Sequence, residues 1–185
     1  MQITRQLLMR AYPDLYFSRV DEFVASFNMW AIPFGIDNPK RIAHYLAQVF
    51  HESGALRYVE EIASGEQYEG RKDLGNTQKG DGVRFKGRGY IQLTGRANYT
   101  KFNACDLCME NVVEHPEKVA EFPLNQVASM WFWQTHKLNE LADNDDGAKI
   151  GEDVCRQITK IVNGGTNGMA NRLFLYRRFR KELGL

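Results

Sequence analysis

Apolar residues recur at helical spacing through most of the chain. In "NPKRIAHYLAQVFHESG", Ile42, Leu46 and Val49 fall on one face, flanked by Ala43, Tyr45 and Phe50, when successive residues turn by about 100°. Asn38 suits an N-cap, Pro39 the first helical position and Gly54 the end, so the pattern predicts a helix over 39–53. "ITRQLLMRAY" reads as a short amphipathic start, followed by a helix from about Val20 to Phe27. Three later stretches, "PLNQVASMWFWQTHKLNELAD", "GEDVCRQITKIVNGG" and "MANRLFLYRRFRKELG", each read as a helix. Strict alternation is confined to "RYVEEI" and "YIQLT". The expected class is mainly α, with little or no β-sheet.

One segment breaks the helical pattern. "GRKDLGNTQKGDGVRFKGRGYIQLTG", from Gly70 to Gly95, carries seven glycines. Long irregular segments inside a compact domain are usually functional or disordered. The aromatics and the apolar "YIQL" favour order, so the segment is read as a loop that wraps a site. "GRGYIQLTG" misses the dinucleotide fingerprint, because Gln92 stands at its sixth position, and no phosphate-loop Lys-Ser pair follows. Tyr90, Gln92, Thr94 and Asn98 instead offer hydroxyl and amide groups at close spacing, suited to sugar hydroxyls and N-acetyl groups.

The chemistry centres on "HESGALRYVEEI", residues 51 to 62. A zinc-protease helix needs H-E-x-x-H, and Ala55 occupies the second histidine's place. "CDLC" (Cys105, Cys108) lacks the second pair that a structural zinc usually requires, and only Cys155 and His115 remain to be recruited. No metal or cofactor is expected. By helical geometry Glu52 projects about 80° from the centre of the apolar stripe, while His51 points nearly opposite it. A carboxyl at the margin of an apolar face, beside a helix C-terminus, is disfavoured as an anion, which suits a general acid. The competing reading is a helix-end glutamate turned to solvent. Glycoside hydrolysis also needs an ionised carboxylate on the other side of the sugar. Glu60, Glu61, Glu66 and Glu69 all qualify, and spacing does not choose among them.

Composition narrows the classes. With 43% hydrophobic and 25% charged residues, the chain reads as one soluble globular domain over 1–185. A net charge of +1 argues against nucleic acid as the partner. The N-terminus lacks a signal-peptide pattern and no stretch is long and apolar enough for stable membrane insertion, so synthesis and folding in the cytoplasm are expected. Three cysteines fit that compartment. The basic positions of the last helix, Arg172, Arg177, Arg178, Arg180 and Lys181, offer contact with anionic lipid or lipopolysaccharide, or simply a solvated face, the reading preferred here.

Four motifs, in order over roughly residues 42 to 180, resemble those of glycoside hydrolase family 19, the chitinase-like family that includes phage endolysins. "HESGALRYVEEI" resembles "HETxxxxxYxEEI", and "FKGRGYIQLTGRANY" resembles "YGRGPIQLSxxxNY". "ITKIVNGG" and "NRLFLYRRF" resemble the family's "xxxIINGG" and "xRIGFYxRY". The resemblance implies a lysozyme-like bilobal helical fold with a substrate cleft between lobes, and an inverting, metal-free mechanism. It makes Glu52 the general acid, Glu61 the general base and Thr94 a holder of the attacking water. Gln92, Asn98 and Asn163 match substrate-binding amides, Tyr90 belongs to the substrate loop, and Arg172 matches an arginine that supports the base. Asn167 stands where many plant members carry a glutamate, Tyr90 replaces the loop's usual proline, and the plant disulfides are missing.

Chitin and peptidoglycan share β-1,4-linked N-acetylglucosamine, and fold does not choose between them. "YEGRKDLGNTQKGDGVRFKGRGYIQLTGRANY" looks more like phage and prophage lytic enzymes than plant chitinases. The expectation is therefore a monomeric phage-type endolysin without a separate wall-binding domain. It would wait in the host cytoplasm until a holin gives access to the periplasm, then cut peptidoglycan glycan strands as a muramidase. A chitinase and a catalytically inactive sugar-binding protein are the alternatives.

Overall fold

The computed structural model describes all 185 residues. Its helices are α1 (Arg5–Ala11), α2 (Val20–Trp30), α3 (Pro39–Glu52), α4 (Asp81–Arg84), α5 (Arg96–Asn103), α6 (Leu124–Thr135), α7 (Leu138–Asp143), α8 (Ala148–Asn163) and α9 (Met169–Glu182). No sheet forms. "RYVEEI" and "YIQLT" contribute only the isolated bridges Glu60–Arg88 and Arg88–Leu93. Backbone contacts divide the chain into two compact units, residues 1–57 with 133–185, and residues 58–132.

The first unit is built around α3. Asn38 caps it by accepting from Arg41 N at 3.1 Å, and Pro39 begins it. The single apolar stripe read from the sequence understates its burial, because every residue from Ile42 to Phe50 is buried. A helix enclosed on all sides must give its polar residues partners. His44 meets Asp145 at 3.2 Å, and Gln48 donates to Thr159 Oγ1 at 3.1 Å. α3 packs chiefly against α9, with Phe50 edge-on to Phe179 at 4.8 Å and His44 stacked on Tyr176 at 4.4 Å. Phe23 and Phe27 of α2 extend this aromatic core toward Phe50 and Tyr45. Each such phenylalanine contributes about 1.5–3 kcal/mol by leaving water.

The stretch 123–143, read as one helix, is two. Lys137 adopts a left-handed conformation (φ 55°) between α6 and α7, and that turn breaks the hydrogen-bond ladder. Trp133 is fully buried and meets Tyr45 edge-on at 5.3 Å, so it is a core group.

The second unit wraps the glycine-rich segment around a small core. Phe85 packs on Tyr99 at 5.2 Å, and Phe102 on Trp131 at 5.5 Å. The segment is ordered by buried polar groups more than by helix. Asp81 is buried and accepts from Arg96 at 2.5 and 2.9 Å, and Arg96 also lies over the Phe85 ring. Hydrogen bonds from that guanidinium hold the Asp81 carboxyl below the usual range despite its burial. The buried Asn76 side chain joins Tyr68 O to Arg96 N, tying two turns of the loop together.

Candidate active site

Glu52 is the last residue of α3. Ser53 ends the helix, its hydroxyl donating to Val49 O at 2.7 Å and accepting from Leu56 N at 2.9 Å. Gly54, Ala55 and Leu56 then run in left-handed conformations, φ 57°, 57° and 72°. For Ala55 and Leu56 that geometry costs about 1–2 kcal/mol each, offset by burial of both side chains. The chain thus leaves the helix abruptly, with Glu52 at the turn and its side chain 19% exposed.

The charged partner of Glu52 is Arg172, on α9, expected from the resemblance to support the base Glu61. Its guanidinium pairs with Glu52 Oε1 through Nη2. Nη1 donates to Gln48 Oε1 at 2.6 Å, and Nε to Asn167 O at 3.3 Å. The cause is spacing: Gln48 and Glu52 lie one turn apart on α3, so one planar fork reaches both. Arg172 is 0% exposed, so one oxygen of the Glu52 carboxyl is engaged by a buried guanidinium. Neighbouring His51 is held by Asn171 Oδ1 at 2.8 Å, and Gly168 lies so close to its ring that a β-carbon there would sit 2.1 Å from it. Asn163 closes α8, and its buried Oδ1 has no partner. An unpaired buried acceptor costs about 1–3 kcal/mol, so it is a candidate ligand-binding atom.

In the second unit the glutamate pair is sorted by its neighbours. Glu60 takes the cations, Arg88 Nε at 3.0 Å and Lys86 Nζ at 3.3 Å. The Glu61 carboxylate takes neutral donors only. Gln67 Nε2 and the Tyr68 hydroxyl donate to Oε1 at 2.9 and 3.0 Å, and Gly87 N donates to Oε2 at 3.2 Å. Burial and the bond to Glu61 push the Tyr68 hydroxyl above its ordinary pKa, keeping it a donor. The backbone reinforces the placement, with Glu61 N donating to Gly87 O at 2.9 Å.

Gly87 is the centre of this group. A β-carbon there would lie 2.6 Å from Gln92 Oε1 and 3.3 Å from both Glu61 Oε2 and Thr94 Oγ1. Three side chains singled out from sequence therefore converge on one backbone position. Gln92 reaches it through a left-handed backbone (φ 58°), with Nε2 anchored on Gly89 O at 2.9 Å. Thr94 Oγ1 donates to Gln92 O at 2.8 Å, and Asn98 Nδ2 donates to Thr94 O at 2.8 Å. Asn98 thus braces the loop. Tyr90 departs from expectation: at 1% exposed its ring is a core group and presents no face to a sugar.

Gln48, Gln67, Tyr68 and Gly87 were not singled out as site residues from the sequence. Gln48 left a signal, a polar residue one turn before Glu52 in a buried helix. Gln67 and Tyr68 left none, because their approach to Glu61 depends on the path of the loop.

No family model matches the chain. Individual relatives do. A glycosyl hydrolase family 19 domain-containing protein of Haemophilus influenzae is 26% identical over 174 residues, spanning 77% of this chain and 80% of that protein. Endochitinase CHI of Arabidopsis thaliana is 31% identical over 187 residues, and the match covers 94% of this chain but 62% of that protein. Among solved structures, a bacterial family 19 chitinase aligns with a TM-score of 0.68 at 19% identity, covering 99% of this chain and 95% of its own. Chitinase C from Streptomyces griseus HUT6037 gives 0.67 at 19% identity, covering 98% and 92%. At that identity the structures speak for the fold, which is mainly helical and lysozyme-like. In sequence the chain is thus similar to chitinase-like family 19 proteins, and in fold to family 19 chitinases.

Proposed function

We propose that the protein hydrolyses β-1,4 glycosidic bonds of peptidoglycan, with Glu52 as general acid and Glu61 as general base, and that it serves as a phage-type lysin. The observation that carries the reading is the set of hydrogen bonds around Glu61. Gln67 and Tyr68 occupy Oε1, while Oε2 receives only the Gly87 amide and keeps a lone-pair direction free. Thr94 spends its own proton on Gln92 O, so its hydroxyl can only accept from a water. A water donating one proton to Glu61 Oε2 and the other to Thr94 Oγ1 has its own lone pair free to attack the anomeric carbon. Glu61 then takes the first of those protons. Arg172 occupies Glu52 Oε1, which leaves Oε2 as the oxygen that carries and delivers the proton to the departing sugar. Inversion at the anomeric carbon follows from direct attack by water. Asn163 Oδ1, lacking any partner, is assigned to an N–H or O–H of the glycan.

Support for peptidoglycan comes from the likeness of the 68–99 loop to phage and prophage lytic enzymes. Glycan strands are then the partner, the protein acts as a monomer, and holin-dependent release from the host cytoplasm brings it to the wall. A second reading, hydrolysis of chitin, is favoured by the endochitinases among the relatives. Digestion of Gram-negative sacculi, borohydride reduction and mass spectrometry separate the two. New muramitol ends from wild type, absent with Glu52→Gln, are the expected result. Glucosaminitol ends would move the cut to the other bond, and activity on chitin oligomers alone would replace peptidoglycan by chitin.

A further inference from the structure

A depression of about 380 Å³ lies between α1 and α9 in the first unit, lined by none of the residues assigned to hydrolysis. Its walls carry Arg10, Arg177, Arg178, Lys181 and Glu182. We propose that this depression binds a phosphate-bearing anion, a phosphomonoester or diphosphate group.

Three of the four cations are engaged by the protein before any ligand arrives. Arg10 is fixed through Nε to Glu182 at 2.6 Å and Arg177 through Nε to Glu152 at 2.8 Å. Arg178 donates one bond to Arg10 O and lies over the Phe174 ring at 5.4 Å. Each guanidinium is therefore engaged at one edge and keeps further N–H donors free. Lys181 has no acidic partner. Of the four cations lining the depression, Arg10 and Arg177 have a carboxylate and Arg178 and Lys181 have none. A phosphomonoester carries about −1.5 to −2 at neutral pH and three acceptor oxygens, which matches that surplus. A single carboxylate would leave half of it uncompensated. Helix dipoles favour basic residues in the last turns of both α1 and α9, but they do not direct side chains of two helices into one depression. The other basic residues of α9 are committed elsewhere, Arg172 to Glu52 and Arg180 to Asp145.

The test is isothermal titration with pyrophosphate at low ionic strength, beside co-sedimentation with phosphatidylcholine vesicles containing phosphatidic acid. Lys181→Glu is the probe, because no partner is lost with it. Lys101→Glu, exposed on α5, controls for net charge, and circular dichroism checks the fold. Wild type and Lys101→Glu should bind alike, and Lys181→Glu should bind about tenfold more weakly or less. Binding of pyrophosphate assigns a free phosphate ligand, whereas Lys181-dependent binding of vesicles alone assigns a lipid headgroup. No binding by wild type to either, or equal binding by all three proteins, overturns the proposal. Should Lys181→Glu misfold, Lys181→Gln with Arg177→Gln carries the same comparison. The readout is binding, so it stands or falls independently of the hydrolytic activity.

Discussion

Replacing Gly87 by alanine tests the convergence of Glu61, Gln92 and Thr94 with the smallest possible perturbation. Gly87 does not occupy the left-handed region, so its backbone accepts a side chain without strain. The added carbon falls 2.6 Å from Gln92 Oε1, about 0.8 Å inside the 3.4 Å at which ordinary contact begins. Gln92 is anchored through Nε2 on Gly89 O, so its amide cannot swing away without losing that bond. Glu61 Oε2 and Thr94 Oγ1, each 3.3 Å from the new carbon, must yield by a few tenths of an ångström. A misplacement of about 1 Å at reacting groups costs on the order of 100-fold in rate. The expected result is a kcat lowered about 10- to 100-fold, with KM changed far less and stability within about 1 kcal/mol of wild type. Steady-state hydrolysis and a thermal melt read the two quantities. A folded Gly87→Ala protein with wild-type kcat would refute the assignment of this group to the water-activating step.

Three further outcomes follow from the same geometry. Arg172→Met strands Glu52 and Gln48 beside a buried apolar chain, and urea unfolding should show a loss of about 3 kcal/mol or more; an unchanged midpoint would contradict the clamp. Glu61→Gln should abolish activity by at least about 100-fold, whereas Glu60→Gln, which disturbs only contacts to Arg88 and Lys86, should stay near wild type; equal loss in both would contradict the sorting of the pair. Burial lowers the pKa of His44, between Asp145, Tyr176 and Arg180, so the unfolded chain takes up a proton that the folded chain refuses. Stability is then intact above about pH 6.5 and falls below it, by up to about 1.4 kcal/mol per pH unit. Asp145, held low by its bonds from His44 and Tyr176 against the opposing effect of burial, adds its loss only below about pH 4. Melting temperatures from pH 7.5 to 5 should fall for wild type and flatten in His44→Gln.

Local signals in the sequence were read well where one residue decides the structure. Asn38 and Pro39 start α3 and Ser53–Gly54 end it because capping is a property of a few adjacent residues. The nearness of Gln92 and Thr94 to each other was legible for the same reason. The Lys137 break was not, since nothing in a lysine announces a left-handed turn. The bond from Arg172 to Glu52 was not legible, because the packing of α9 on α3, not spacing in the chain, decides it. Tyr90 reads as a polar aromatic in a loop, yet its burial depends on the segment around Asn125, to whose carbonyl its amide is bound.

The most direct measurement is the anomeric configuration of the first product, followed by proton NMR immediately after addition of enzyme to peptidoglycan fragments, with N-acetylglucosamine oligomers in parallel. Direct attack by a water held on Glu61 and Thr94 predicts that the new reducing end appears first as the α-anomer, and that no product forms with Glu52→Gln. A β-anomer appearing first, or undiminished product from Glu52→Gln, would contradict the account.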